Sequence, residues 1–588
     1  MFYNGTINKL PPQVGQCFDL LWNNQDKVVP YQELVNTMFG DINLKGGKER
    51  LAGRKELSLR VTLENMNYMK RDIGKVFFVM ALGVLLSACT RGVVQDDGAF
   101  QRSAPELEGV QTDGILNFID EAEANGIDMH SLMILRHGKI ITQGWWYPYK
   151  PTYKHIMHSV SKTFTSAAIG FAVQEGLLTV NDKVIAFFPD DLPAEVSPYL
   201  QALTIKHLLT MSVGQEPAPT FYMGDGSWVK AFLATPIEHE PGSVFLYSSY
   251  ASYILSAIIQ KVSGETTFDY LKTRLLDPLK IKDVNWEYGA EGISAGGWGM
   301  RIKTEDMAKL GQFYLQKGRW NGKQLLPSAW IKEATSLQIF QRDSLTFEEE
   351  LHDNWAQGYG YQIWRCINNA YRADGADGQF IIVMPDQDAV VIITENTANT
   401  QLVLRLVFDY LQPAMGDLVY SVKEDRKEQL GSKLSTLSIP DPFRTEENLV
   451  VPKEVTRTYN LDSNTSELQK VSFTFGAEGE ICFSLQDADS TQTFDLGLDG
   501  WHFVSTMKPG PYFLSPRKNS EGLAPFVVAG YGSWVNKNEL RIRLLYIEDY
   551  QEETYICRFD GKKVKIARSN SFRPNDEPQV LLGSLTSE

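Results

Sequence analysis

Apolar positions fall into three textures along this chain. Ile115 to Ala124 repeats with a helical period, and Ser131–Arg136 followed by His137-Gly138 and Lys139–Gln143 reads as two strands around a tight turn. A second hairpin is predicted far downstream, from Gln379–Met384 and Ala389–Thr394 around Pro385-Asp386-Gln387-Asp388. Helical patterns fill the interval, as at Tyr250–Val262 and Thr304–Gln316, and Gln401–Leu411 closes the segment. Two hairpins bracketing helices predict one mostly antiparallel sheet with helices on its faces. Lys423–Ser435 is charged and helix-prone, and Ile439–Phe443 reads as a linker. From about Tyr459 the pattern alternates strictly: Val471–Phe475, Ile481–Leu485, Leu540–Leu544 and Tyr555–Phe559. This predicts an antiparallel β domain, a small barrel or sandwich.

One helical stretch breaks the amphipathic rule. Thr163 to Val173 is small or apolar nearly all round, which predicts a buried central helix. At its mouth stands His158-Ser159-Val160-Ser161-Lys162, with Ser159 and Lys162 one helical turn apart. A hydroxyl is a poor nucleophile until a base lies within hydrogen-bond reach. A lysine amine can be that base if burial and the positive helix end keep it neutral. The same spacing at Ser227…Lys230, Ser505…Lys508 and Ser515…Lys518 has no such context and is read as accidental. Tyr247 follows a Pro-Gly turn and precedes the Tyr250–Val262 helix, a loop-to-helix junction suited to a functional side chain. Beside an ammonium a phenol loses its proton more easily, so Tyr247 could exchange a proton with Ser159 or a leaving group. His158 adjoins Ser159, but helical neighbours point apart, so it is not expected to be the base.

Ser159-Val160-Ser161-Lys162, then Tyr247-Ser248-Ser249, then Ala373-Asp374-Gly375 resembles the class C β-lactamase and penicillin-binding-protein-like serine hydrolases, whose pattern is Ser-x-x-Lys, Tyr-x-Asn and Lys/His-x-Gly. Thr204–Thr210, Pro241–Phe245 and Asp306–Gly311 agree with the same family, and the resemblance covers about residues 105–415. It implies an α/β (α+β) fold, an antiparallel sheet flanked by helices with a helical subdomain. It also implies an acyl-enzyme on Ser159, with Lys162 as general base, Tyr247 as general acid/base, and the backbone N–H groups of Ser159 and Ala376 as oxyanion hole. Two positions depart from the pattern. Ser249 stands for the amide and reaches less far. Ala373 replaces the cation that helps hold a substrate carboxylate, and Asp374 or Asp377 would repel such an anion if turned inward. Gly375 and Gly378 fit a strand edge approached closely by a substrate backbone. Tyr371 to Gln379 more closely resembles the esterase and amino-oligomer hydrolase branch. Expected substrates are therefore small esters or amides ahead of β-lactams or D-amino peptides, contacted by Ser249, Asp374, Gly375, Tyr222 and Trp228. Other aromatics (Trp145, Trp146, Trp298, Trp355) are expected to pack in the core. The alternative is a catalytically impaired penicillin-binding or sensor lipoprotein.

Composition narrows the rest. A length of 588 residues, 43% apolar, suits several globular domains, and a net charge of −15 argues against nucleic-acid binding. No phosphate loop or dinucleotide fingerprint is found, and His155 and His207 lack partners at metal-ligand spacing, so chemistry without metal or cofactor is expected. The five cysteines (17, 89, 366, 482, 557) form no disulfide framework, although Cys482 and Cys557 share one β-rich segment and could pair. Residues 69–89 carry a basic flank, an apolar run from Val76 to Leu86, and Leu86-Ser87-Ala88-Cys89, which looks like a bacterial lipobox. Cys89 would then be lipidated, with residues 90–108 a tether and the protein anchored in the membrane of a bacterial cell envelope. Residues 1–68 either lie upstream of the functional start, near Met66 or Met69, or form a small helical head. The expected organisation is a hydrolase domain over 109–415, a linker over 416–450 and a C-terminal β domain over 451–588.

Overall fold

The structure is a computed structural model that describes residues 99–342, 346–440, 455–476, 480–498 and 500–587. The expected signal segment, Cys89 and the 1–68 extension lie outside the described residues. The first layer to place is a mixed-length antiparallel sheet of β1 (Asp128–Arg136), β2 (Lys139–Trp145), β3 (Trp364–Arg365), β4 (Tyr371–Gly375), β5 (Gln379–Met384) and β6 (Ala389–Asn396). Their order is β2-β1-β6-β5-β4-β3, so the two hairpins predicted at opposite ends of the segment meet where β1 pairs with β6, Leu135 opposite Val390. Both faces of this sheet are covered, which is why β5 and β6 read as continuous apolar runs.

Alternate residues serve two cores. Met133, Leu135, Ile381, Val383, Val390 and Ile392 face the helical subdomain. Leu132, Ile134, Phe380, Ile382, Val391 and Ile393 face α1 (Thr112–Ala124) and the helix after β6. In the first core lie α2 (Ser161–Gln174), α3 (Ser249–Ser263) and α4 (Thr304–Leu315). Helix α2 is buried over Ser161–Ala172, as its all-round apolar sequence predicts.

The C-terminal domain is an antiparallel ten-stranded sheet curled into a nearly closed barrel. Its strands are β7 (Val455–Leu461), β8 (Lys470–Phe475), β9 (Ile481–Gln486), β10 (Thr491–Leu496), β11 (His502–Thr506), β12 (Phe526–Asn536), β13 (Glu539–Tyr546), β14 (Gln551–Asp560), β15 (Lys563–Asn570) and β16 (Gln579–Ser587). The order β10-β9-β8-β7-β16-β15-β14-β13-β12-β11 brings the ends of β10 and β12 together, where Gly532 N–H donates to the Gly497 carbonyl at 2.9 Å. Phe473, Phe483, Phe494, Leu544 and Tyr555 fill the interior. Cys482 and Cys557 sit on the non-neighbouring strands β9 and β14 and both are free thiols, so the bridge left open by the sequence does not form.

Two expected connectors are built structure instead. Residues 99–103, the presumed end of a tether, run along β2, with Ser103 N–H donating to the Ile140 carbonyl at 3.0 Å. The presumed linker contains α5 (Glu424–Ser435), whose Lys433 pairs with Asp120 and Glu123 of α1, each at 2.7 Å.

The barrel is fastened to the N-terminal sheet-and-helix domain through the β13–β14 turn. There the Glu548 carbonyl accepts the Ile156 N–H at 2.7 Å, and Asp549 accepts the Arg301 guanidinium at 2.7 Å. Arg301 also reaches Glu287 at 3.1 Å, and all three charged side chains are buried. Removing one member of a buried charge set leaves the others uncompensated. Asp549→Ala is therefore expected to cost about 3 kcal/mol, read as a lower denaturation midpoint of the full chain. An unchanged midpoint would refute a buried, mutually dependent triad.

Candidate active site

Ser159 lies in a single 3-10 turn, His158–Val160, that leads directly into α2. The turn is pinned from both sides. Met157 N–H donates to the Met300 carbonyl at 2.8 Å, and Ser161 Oγ accepts the Met300 N–H at 3.2 Å. His158 has a φ of 43°, a left-handed conformation that a residue with a Cβ adopts only when its surroundings hold it there. What holds it is Tyr550, from the β13–β14 turn of the barrel. The His158 Nε2–Tyr550 hydroxyl distance is 2.7 Å, and that hydroxyl donates onward to the Asp377 carboxylate. Because Tyr550 spends its proton on Asp377, it can only accept from His158, which sets the Nε2–H tautomer.

Lys162, one turn into the helix, is 1% exposed. Its Nζ lies 2.9 Å from Ser159 Oγ, 3.1 Å from Ser249 Oγ and 2.7 Å from the Gly297 carbonyl. Burial holds this amine well below the usual lysine value, and the positive charge of Lys518 lowers it further, while Asp374 pulls the other way. A neutral amine has two N–H bonds and one lone pair. In the neutral form, donation to the Gly297 carbonyl and to Ser249 Oγ would leave that lone pair to the Ser159 hydroxyl. Gly297 reaches this place because it has no side chain: a Cβ there would meet the Ser249 carbonyl at 2.6 Å.

Tyr247 stands just before α3, with its ring centroid 4.8 Å from Lys162 Nζ and 5.7 Å from the near-parallel ring of Trp364. Burial pushes its hydroxyl above the usual phenol value; the Ser159 hydroxyl opposes this and Asp374 reinforces it. The sequence suggested a phenol acidified by an ammonium. Desolvation of the partly buried ring raises the hydroxyl instead, which favours protonated Tyr247.

The end of β4 packs against the nucleophile turn. A Cβ on Gly375 would come 2.4 Å from the Met157 carbonyl, so glycine is what permits the approach. Ala376 follows at the tip of the β4–β5 turn. The barrel's Tyr550 thus ties together the residue before Ser159 and the residue after Ala376, the two places whose N–H groups were expected to form an oxyanion hole.

The other expected contacts divide. Ser249 is in the site, bonded to Lys162. Asp374 is held by Arg372, on the same face of β4, which donates to it from Nε at 2.7 Å, and both are buried. Asp377 is likewise engaged, by Tyr550. Trp228 is 1% exposed and packs among Tyr250, Tyr253 and Trp298, so it backs the site from the core and is not a pocket wall. Tyr222 is 43% exposed on the neighbouring loop. His155 meets His130 at 2.9 Å, and His207 Nδ1 accepts the Thr204 N–H. Gly297, Tyr550 and Lys518 were not singled out. The glycine-rich run Ser294-Ala-Gly-Gly-Trp-Gly299 was a readable sign of close backbone approach, whereas nothing in the barrel sequence marked the other two.

A beta-lactamase family model matches residues 117–407. An uncharacterised protein of Alkalihalophilus pseudofirmus is 25% identical over 253 residues, 38% of this chain and 69% of that one. Protein flp of Staphylococcus aureus is 29% identical over 172 residues, 27% of this chain and 34% of its own length, so the chain spans about a third of that relative. Among solved structures, a penicillin-binding protein homolog from Caulobacter crescentus aligns with a TM-score of 0.43 at 15% identity, covering 51% of this chain and 97% of that chain. The octameric penicillin-binding protein homologue from Pyrococcus abyssi aligns with a TM-score of 0.40 at 15% identity, covering 80% and 99%.

Two outcomes follow for Ser159 reactivity, measured as its labelling rate with a fluorophosphonate probe. Only the neutral amine offers a lone pair, so the rate should fall about tenfold per pH unit below the Lys162 pKa and level off above it. The half-point should lie well under 10.5, the ordinary lysine value; a half-point at that value would refute a neutral resting amine. Tyr550→Phe should slow labelling roughly tenfold, equivalent to about 1.4 kcal/mol, through the lost clamp on His158 and Asp377. A wild-type rate would mean that the clamp is dispensable.

Proposed function

Residues 117–407 make this chain a member of the beta-lactamase family, and on that premise we propose that it is a serine hydrolase working through an acyl-enzyme on Ser159. The observation that carries the reading is the Lys162 amine, 2.9 Å from Ser159 Oγ, with its other polar contacts assigned to Gly297 and Ser249. Ser159 Oγ attacks a substrate carbonyl carbon as its proton passes to the Lys162 lone pair. The carbonyl π electrons move to oxygen, and that oxyanion is received by the N–H groups of Ser159 and Ala376. Collapse breaks the bond to the leaving group, which takes a proton from Tyr247, itself replenished from the Lys162 ammonium. Water then adds to the ester on Ser159 and gives its proton to the regenerated amine, releasing the acid and restoring the hydroxyl.

Small esters or amides suit the site better than β-lactams. At Ala373, β4 offers a methyl group packed into the helical core where the family pattern has a cation. A metal-independent route needs nothing more than these side chains.

The test is turnover of p-nitrophenyl acetate and nitrocefin by the full chain. The acetate should be hydrolysed faster, and Ser159→Ala should lower the rate by about 10³-fold or more. Stoichiometric labelling of Ser159 with no turnover of either would replace this reading with that of a penicillin-binding sensor.

A further inference from the structure

Lys518 belongs to the barrel, on the loop between β11 and β12, yet its charge is near enough to Lys162 to lower that amine. The loop is anchored on the hydrolase domain where Met223 N–H, next to Tyr222, donates to the Pro516 carbonyl at 2.8 Å. From there the ammonium reaches inward, 5.2 Å from the Trp298 ring centroid and 4.7 Å from that of Tyr512. Trp298 follows Gly297, the carbonyl that holds Lys162. The Tyr512 ring is 5.7 Å from the ring of His158, which precedes Ser159. Lys518 is therefore held between the two backbone segments that frame the reactive pair. Among the described residues its ammonium donates no hydrogen bond and joins no ion pair, and it lies over two aromatic rings.

We propose that Lys518 is a substrate-binding residue, a cation supplied by the C-terminal barrel that selects esters or amides bearing a carboxylate near the scissile bond. The idea rests on the serine-hydrolase reading and specifies its substrate class. Electrostatics agree: burial pushes the Lys518 amine down to about 8, with Glu287 and Asp549 opposing and Arg517 and Arg301 adding to the fall. Most of the charge is thus present at neutral pH, and an incoming carboxylate would supply a hydrogen-bond acceptor for it.

The competing role is neutralisation. Glu287, Asp549 and Arg301 together carry one negative charge in excess, and Lys518 could merely balance it. A balancing charge would affect stability but not the choice between two substrates, so the readout must be a ratio.

The experiment compares mono-p-nitrophenyl glutarate with p-nitrophenyl acetate as substrates of the full chain, taking the ratio of their kcat/KM values. The wild type should favour the hemi-ester, Lys518→Met should lower the ratio about tenfold, mostly through KM for the hemi-ester, and Lys518→Arg should retain it. Protection of Ser159 from fluorophosphonate labelling by free glutarate should weaken in parallel in Lys518→Met. An unchanged ratio and unchanged protection in folded Lys518→Met would overturn the proposal while leaving the hydrolase reading intact. Failure of the wild type to turn over either ester would overturn the hydrolase reading, and this inference with it.

Discussion

A buried lysine with its amine 2.9 Å from a serine hydroxyl is the constraint on which the site depends. An amine in low-dielectric surroundings resists protonation, and its direction must still be set. The Gly297 carbonyl and Ser249 Oγ do this by taking the two N–H bonds. Each requirement propagates outward. The Gly297 backbone must lie against the start of α3, Ser249 must begin that helix, and α2 must be buried on every side to keep water from the amine.

The second dependence runs through the barrel. Its β13–β14 turn contributes Glu548 to the backbone of the nucleophile segment, Asp549 to buried Arg301, and Tyr550 to the His158–Asp377 clamp. The loop between β11 and β12 contributes Tyr512 and Lys518. A domain whose own strands carry no reactive constellation thus acts on the site by position, holding a left-handed residue in place and placing a charge. The Arg301 triad and the Tyr550 clamp arise from one four-residue turn, so docking and site geometry are mechanically coupled.

Much of the hydrolase architecture was legible. Both hairpins, the buried helix, the loop-to-helix junction at Tyr247 and the alternating C-terminal strands all follow from side-chain periodicity, which is a local property. The Ser159–Lys162 pairing was readable because one helical turn fixes the distance. Other features were not legible before the structure. Asp374 was expected near a substrate, and its carboxylate accepts from Arg372 two positions away on the same strand face. Trp228 looked like a wall, but three aromatic rings enclose it. Tyr247 was expected to be acidified, and burial reversed the sign.

Sequence alone determined the elements, their order and the residues able to supply a hydroxyl, an amine and a phenol, because spacing along a helix or strand translates directly into which side chains share a face. It also made Ser515…Lys518 look like a chance repeat, and as a local motif it is one. Only the tertiary structure decided that the Lys518 ammonium lies over Trp298 and Tyr512, that burial lowers the Lys162 amine well below its usual value, and that Tyr550 links His158 to Asp377. Those facts depend on desolvation and on contacts between segments up to several hundred residues apart, and neither is encoded in any window of neighbouring residues.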